Sequence, residues 1–228
     1  EITTRLVGSE MCIRDRMIED RTRTYTIAME RTVVPENFSF RMTDEEYRVL
    51  EKIKNSIPVC YLADHADFAL GIVTGNNKKF LSAEKTENSE MVLKGTDICK
   101  YHINPVKQYL RFEPEQFQQV APLEIYRAPE KLLYRFISNQ LVVAYDDRQM
   151  LSLNSCNIVI PKIEGMQIKY ILAILNSSVS QFVYQKEFHS IKVLRAHMEH
   201  IPIPRVGKAI QNEIIAMTEP LICGMGKE

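Results

Sequence analysis

Apolar residues recur every three or four positions between residues 167 and 186, which is the spacing of one face of an α-helix. We expect a long amphipathic helix there, which Asn176-Ser177-Ser178 could kink. Each large apolar side chain buried on this face should stabilise the core by roughly 1.5–3 kcal/mol. The predicted face comprises Ile168, Ile171, Leu172, Leu175, Val179, Phe182 and Val183.

Three shorter helices are predicted elsewhere. Thr43 is a natural N-cap and Glu46 follows three residues later, so a helix should begin at residue 44 and run to about 55. Further short helices are expected at 194–200, before Pro202, and at 208–221.

The clearest strand pattern lies at 131–137, 141–145 and 157–160, where turn-forming residues separate three apolar runs. We expect an antiparallel meander, with Leu132, Tyr134 and Phe136 on the buried face and Arg135 pointing outward. Together with the helices, these strands predict an α+β fold. Its main features are a small, mostly antiparallel sheet, one long amphipathic helix packed on that sheet, and short flanking helices.

Residues 71–80 read Gly-Ile-Val-Thr-Gly-Asn-Asn-Lys-Lys-Phe, an apolar strand followed by a polar turn and an aromatic residue. Gly75 provides the backbone freedom for the turn. Asparagine can pair bidentately with adenine in the major groove, and lysine binds phosphates. The segment therefore suits DNA contact, although a plain polar turn at a strand end also explains it.

The composition excludes some classes of protein. Apolar residues make up 45% of the chain and charged residues 25%, which is typical of a globular protein. Five scattered cysteines without a CxxC pair predict reduced thiols and a cytoplasmic location, and no membrane partner is expected. The 29 basic residues balance 29 acidic ones, so a free-standing nonspecific DNA binder is disfavoured. Residues 71–112 nevertheless hold seven Lys or Arg and four Asp or Glu.

A resemblance adds to this interpretation. The segment 71–80 and Leu93-Lys94-Gly95-Thr96-Asp97-Ile98-Cys99-Lys100-Tyr101 resemble the start of the TaqI-like C-terminal specificity domain. Three later stretches and a closing Ile201-Pro202-Ile203-Pro204 follow in the family's order. The stretches are 129–135, 153–159 and 170–177, so the resemblance covers roughly residues 61–205.

The resemblance implies a module that recognises duplex DNA for adenine-N6 DNA methyltransferases of restriction-modification systems. The expected partners are double-stranded DNA and a methyltransferase catalytic domain, in cis or in trans. The expected DNA-contacting residues are Thr74, Asn76, Asn77, Lys78 and Lys79, followed by Lys94, Lys100 and Arg135. The alternatives are a non-enzymatic specificity subunit that serves a separate methyltransferase and a protein-interaction module without DNA binding.

The family's catalytic motif of Asn-Pro-Pro-Tyr type is missing here, because Asn104-Pro105 continues as Val106-Lys107. No G-x-G loop follows a predicted strand either. We therefore expect no catalytic residues and no cofactor in this chain, and S-adenosylmethionine is expected only for the parent enzyme. His197 and His200 share a helical face, but no third ligand has suitable spacing, so no metal site is predicted.

The predicted organisation has four parts. Residues 1–16 lack any regular period and should be a non-native or disordered leader, and 17–60 should be a connector with a short helix. The DNA target-recognition domain is expected at 61–205, and 206–228 should be a C-terminal helix that is truncated.

Overall fold

The computed structural model describes residues 15–19, 24–28, 42–188 and 190–224, with only the backbone described for the first two ranges. Contacts divide the chain into two compact units, residues 1–57 and 58–228. Residues 1–14 of the expected leader lie outside the described residues. The domain boundaries drawn from the sequence stay predictions.

The first unit contains a strand pair and a helix. Strand β1 (Asp15–Glu19) pairs antiparallel with β2 (Thr24–Ala28). Helix α1 (Asp44–Asn55) begins with the predicted capping box: Glu46 N donates to Thr43 Oγ1 at 3.3 Å, and Thr43 N donates to Glu46 Oε2 at 3.0 Å. The helix predicted at 44–55 is confirmed.

The second unit combines short strands and helices, which confirms the α+β fold class. Its strands are β3 (Val59–Cys60), β4 (Ala66–Ala69), β5 (Leu81–Ser82), β6 (Ser89–Leu93), β7 (Tyr109–Arg111), β8 (Lys131–Arg135), β9 (Val143–Asp146), β10 (Leu151–Ser152), β11 (Cys156–Pro161) and β12 (Ile203–Pro204). Its helices are α2 (Asn77–Phe80), α3 (Leu123–Tyr126), α4 (Ile168–Asn176), α5 (Ser178–Glu187), α6 (Arg195–Glu199) and α7 (Lys208–Ile222). Helices α6 and α7 confirm the short helices predicted near 194–200 and 208–221.

The strands form two four-stranded sheets, where the sequence predicted one small sheet. The first sheet has the order β4-β11-β8-β9 and is antiparallel throughout, and the second has the order β10-β6-β7-β5. In the second sheet β10 runs parallel to β6, while the other pairs are antiparallel. A further antiparallel pair joins β3 to β12.

The predicted meander is wrong in its strand order. Strand β8 lies between β9 and β11, so β9 and β11 are not neighbours. The reason is long-range: after β9 the chain crosses to the second sheet as β10, and it returns on the other side of β8 as β11. Local alternation of apolar and polar residues carries no information about that excursion.

Strand β8 is buried on both faces, and this corrects the predicted alternation. Lys131 and Asp146, a directly opposed pair on β8 and β9, are both 0% exposed and form an ion pair with a 2.6 Å Nζ–Oδ2 distance. Lys131 Nζ also donates to Tyr126 O at 2.6 Å, and Asp146 accepts from the backbone N–H groups of Arg148 and Met150 at 2.9 Å. Burial lowers the pKa of Lys131, and the Asp146 carboxylate opposes that effect.

One apolar core fills the space between the two sheets. It includes side chains from the first sheet, such as Leu133 and Ile158, and from the second, such as Val92 and Leu110. The fully buried members also include Ile72, Leu93, Ile98, Tyr126, Ala144, Leu151 and Cys156. The second sheet and its connecting segments are therefore held against the first sheet, because their apolar side chains are buried in the same core.

The long helix predicted at 167–186 is two helices. Ser177 has extended backbone angles, φ −65° and ψ 156°, and its side chain caps the second helix by accepting from Ser180 N at 3.1 Å. The break changes the direction of the following residues, so Val179 is 51% exposed although the sequence pattern predicted it to be buried. In α5 the buried side chains are Ser180, Val183 and Tyr184.

Asn176, the last residue of α4, covers the edge of the first sheet. Its Oδ1 accepts from Val143 N at 3.1 Å and its Nδ2 donates to Val143 O at 2.8 Å, which imitates the pairing of another strand. Tyr101 lies alongside the same edge: its N–H donates to Val143 O at 2.8 Å, and its carbonyl accepts from Tyr145 N at 3.1 Å. Three outward groups of β9, namely Val143 N, Val143 O and Tyr145 N, are thus occupied.

Replacing Lys131 with Met should lower the free energy of unfolding by about 3–5 kcal/mol, because it leaves the buried Asp146 carboxylate without its counter-ion. Chemical denaturation of the purified chain measures this change.

The matched control is Lys162→Met. Lys162 forms an ion pair with Asp67 at the same 2.6 Å distance, but the two side chains are 59% and 45% exposed. Its removal should cost less than about 1 kcal/mol. Equal decreases from the two variants would show that burial does not set the strength of the Lys131–Asp146 interaction.

Candidate nucleic-acid interface

The segment 71–80 forms a defined turn followed by a single helical turn. Gly75 adopts a positive φ of 74°, as its place in the turn predicted. Asn76 is the N-cap of α2, and its Oδ1 accepts from Lys79 N at 3.3 Å. Thr74 is buried, and its hydroxyl donates to Asn77 Oδ1 at 2.6 Å. These predicted contact residues therefore use their side chains to shape the loop.

A second segment, residues 113–119, supports this loop. The backbones of Val73 and Gln119 exchange two hydrogen bonds of 2.8 and 3.1 Å. Lys79 Nζ donates to Gln116 Oε1 at 2.6 Å. Phe80 is buried and packs edge-on against Phe117, with ring centroids 5.1 Å apart. The aromatic residue at the end of the segment is an anchor, and Lys79 is tied to a neighbour.

Two glycines that are distant in sequence pack against the backbone of the turn at residues 153–156. A Cβ atom on Gly71 would lie 2.7 Å from Cys156 O and closer still to Leu153 O. A Cβ atom on Gly95 would lie 2.5 Å from Ser155 O. Hydrogen bonds fix both approaches: Gly95 N donates to Ser155 Oγ at 2.9 Å, and Gly71 N donates to Asn157 Oδ1 at 3.3 Å. Only glycine allows backbones to meet this closely.

Arg135 and Lys100 hold backbone carbonyl groups. Arg135 donates from Nε to Gly95 O at 2.9 Å and from Nη2 to Ile98 O at 2.6 Å, so it is half-buried beneath the 94–98 turn and does not project outward as predicted. Lys100 Nζ donates to Asn176 O at 3.3 Å. Both residues position neighbouring segments, and their contact with DNA stays a prediction.

An open groove of about 480 Å³ joins the loop, the 94–98 turn and the 153–156 turn. It is lined by Asn77, Lys78, Leu81, Lys94, Gln108, Leu153, Asn154 and Ser155. The structure thus brings together three of the predicted contact residues, Asn77, Lys78 and Lys94. Gln108, Asn154 and Ser155 were not predicted as contact residues from the sequence. Asn154 and Ser155 stand inside the stretch 153–159 that carries part of the family resemblance, whereas nothing in the sequence marked Gln108.

The groove carries positive charge. Two lysines and no acidic residue line it, and neither lysine amino group forms an ion pair with an acid of the described chain. The nearby Asp97 carboxylate accepts from the Lys94 backbone N–H at 2.9 Å. Two exposed ammonium groups beside amide side chains suit a phosphate backbone next to base edges.

Other candidate chemistry has a structural explanation. His197 Nδ1 accepts from Leu194 N at 3.2 Å, its ring stacks on Phe188 at 4.5 Å, and burial lowers its pKa. A His200 ring nitrogen bonds Ala196 O at 2.6 Å. Within 42–188 and 190–224 no three His, Cys, Asp or Glu side chains cluster as metal ligands would. Helices in the described ranges are too short or too polar to cross a membrane.

A protein-family model identifies the family of the chain. The model of the TaqI-like C-terminal specificity domain matches residues 90–203, half of the chain. The chain belongs to this family. The matched range of the specificity domain includes Lys94, Gln108 and the 153–156 turn, while Asn77 and Lys78 come before it.

The chain is also similar to two solved structures. It matches MmeI, a Type IIL restriction-modification enzyme solved in complex with DNA, with a TM-score of 0.50, 10% identity, and coverage of 73% of this chain and 29% of that chain. It also matches the HsdS subunit from Thermoanaerobacter tengcongensis, with a TM-score of 0.45, 12% identity, and coverage of 79% and 45%. The chain spans less than half the length of either protein. No curated protein sequence matches it.

Gly71→Ala and Gly95→Ala should each lower the free energy of unfolding of the chain by about 1–3 kcal/mol, because the added methyl group forces the 153–156 turn away. Thermal or chemical unfolding of the chain reports the decrease.

Gly207→Ala is the control, since a Cβ atom there meets nothing within 4 Å. Its effect should stay below about 1 kcal/mol. If the three variants unfold alike, close backbone approach is not what requires glycine at positions 71 and 95.

Proposed function

We propose that the chain recognises a specific duplex DNA sequence on behalf of a restriction-modification methyltransferase. The observation that carries this proposal is the groove, where two lysines without an ion-pair partner flank amide side chains and no acidic residue intrudes. Membership of the specificity-domain family supports it. The fold likeness to MmeI, whose structure contains DNA, agrees with it.

The groove residues divide into two roles. Lys78 and Lys94 are exposed cations on different segments, the α2 loop and the 94–98 turn, and each can hold a phosphate. The amides of Asn77, Gln108 and Asn154 can hydrogen-bond base edges. Phosphate contacts would fix the register of the domain on the duplex, and the amides would then meet particular bases.

The neutral net charge agrees with a module that shares its grip on DNA. With 29 basic and 29 acidic residues, the chain has little long-range attraction for DNA. A catalytic domain, in cis or in trans, would supply further phosphate contacts and the chemistry. In that arrangement the target adenine leaves the stack for the catalytic pocket while this domain holds the bases beside it.

The finer assignment is adenine-N6 methylation by the parent enzyme. The described part of the chain offers no G-x-G turn after a strand, so we assign S-adenosylmethionine, which supplies the methyl group, to the catalytic domain. A cytoplasmic location fits a DNA substrate and the free thiols of Cys60, Cys99, Cys156 and Cys223. Sequencing the gene that encodes the chain tests the assignment: a fused Asn-Pro-Pro-Tyr motif supports an enzyme, and its absence favours a separate specificity subunit.

Replacing Lys78 and Lys94 together with Gln should weaken binding to every duplex by a similar factor. The slope of log K against log salt concentration should flatten by about 0.9 for each phosphate that the protein no longer neutralises. Fluorescence anisotropy of a labelled mixed-sequence duplex, titrated with the chain from low to moderate salt, measures both quantities.

Lys208→Gln, which removes one surface charge where the double variant removes two, is the control, because Lys208 is exposed on α7 and does not line the groove. It should leave the salt slope near that of the wild type. An unchanged slope in the double variant, or an equal change in the control, would exclude the groove as the phosphate-binding site.

A further inference from the structure

The recognition of adenine by an amide side chain requires two free groups. The amide oxygen accepts from the adenine N6 amino group while the NH₂ donates to N7, and both atoms must face the base together. The hydrogen bonds that each amide already makes in the protein therefore decide which ones can take this role.

The two loop asparagines have already committed their oxygen atoms. Asn76 Oδ1 caps α2 through Lys79 N, and Asn77 Oδ1 accepts the buried Thr74 hydroxyl at 2.6 Å. Turning either amide to meet a base would remove a bond that shapes the loop. Their NH₂ groups can donate, but each oxygen would have to accept from a base through its second lone pair while it keeps the bond that shapes the loop.

Gln108 and Asn154 differ from the loop asparagines, because their amide oxygens accept no hydrogen bond from the described chain. Neither side-chain amide makes a hydrogen bond within the described chain, and both line the groove. Their backbones are nevertheless fixed: Gln108 O accepts from Val92 N at 3.1 Å, and Asn154 N donates to Ile72 O at 3.1 Å. Each residue therefore presents a complete donor–acceptor pair from a rigid support, as base readout requires.

The position of these amides suits the role. Lys78 and Lys94 line the same groove as these amides, so phosphates bound there would bring base edges near them. Leu81 and Leu153 are the apolar lining residues of this groove, and their side chains offer no competing hydrogen bond to Gln108 or Asn154.

We propose that Gln108 and Asn154 are the residues that determine sequence specificity, each reading one base edge with a preference for adenine, and that Asn76 and Asn77 shape the loop. This inference rests on the proposed function, since it names the base-reading groups of the same groove.

The test is a selection from duplex DNA that contains a randomised segment, performed with the chain at about 50 mM salt, where phosphate contacts are strong. Bound molecules are sequenced for the wild type, for Gln108→Met and for Asn154→Leu. We expect each variant to lose the base preference at one position of the selected motif, by roughly 10- to 100-fold in relative enrichment, and to keep the others.

Two further variants separate base reading from general effects. Gln185→Met removes an exposed amide on α5, away from the groove lining, and should select the wild-type motif. Asn76→Ala should lower the melting temperature because the cap is removed, but it should leave the preferred bases unchanged.

The outcomes distinguish the two proposals. If the wild type selects a motif and the Gln108 and Asn154 variants select the same one, these residues do not determine specificity, and DNA recognition stands. If Asn76→Ala alone changes the preferred base, the loop is the reading element and the inference is overturned. If the wild type enriches no sequence, the proposed function fails, and the inference with it.

Discussion

The approach of Gly71 and Gly95 to the turn at 153–156 is the constraint on which the site depends. These glycines belong to segments that lie far from the turn in sequence, and each approaches its backbone more closely than any side chain would permit. The α2 loop and the 94–98 turn are consequently brought to the same place, one carrying Lys78 and the other Lys94. The two glycine contacts thus position the two segments that carry the groove lysines.

The polar residues of the domain fall into two groups according to whether their bonds are internal. Lys131, Asp146, Arg135 and Asn176 are buried or half-buried, and each has partners within the protein. A buried polar group without partners would cost several kcal/mol, so these bonds hold the fold in one arrangement. The Gln108 and Asn154 side chains have no such partners in the described chain, and in the open groove water compensates for that until a ligand arrives.

Elements whose signals are local could be predicted from the sequence. Thr43 and Glu46 mark the start of α1 within four residues, and the Gly75 turn depends on a single backbone conformation. The order of β8, β9 and β11 could not be predicted, because the excursion through β10 is decided by contacts with the second sheet. The burial of Lys131 could not be predicted either, because its partner Asp146 is 15 positions away and adjacent only after the strands pair.

The groove residues likewise divide into those that the local sequence predicted and those that it did not. Lys78 and Lys94 were predictable as exposed cations in polar turns, whereas the two carbonyl groups that the Arg135 guanidinium binds could not be predicted from the sequence. Gln108 gave no sequence signal, since its relevance comes only from the glycine contacts that bring distant segments beside it.

The covering of β9 has a consequence for solubility. An open strand edge can pair with the edge of another molecule and begin aggregation, and natural proteins protect such edges. Here the Asn176 amide and the Tyr101 backbone occupy the outward hydrogen-bonding groups of Val143, and Tyr101 O accepts from Tyr145 N. Helix α4 ends at Asn176, and the side chain of this residue takes the place of a neighbouring strand beside Val143. Another molecule therefore cannot pair with these groups of β9 and extend the sheet.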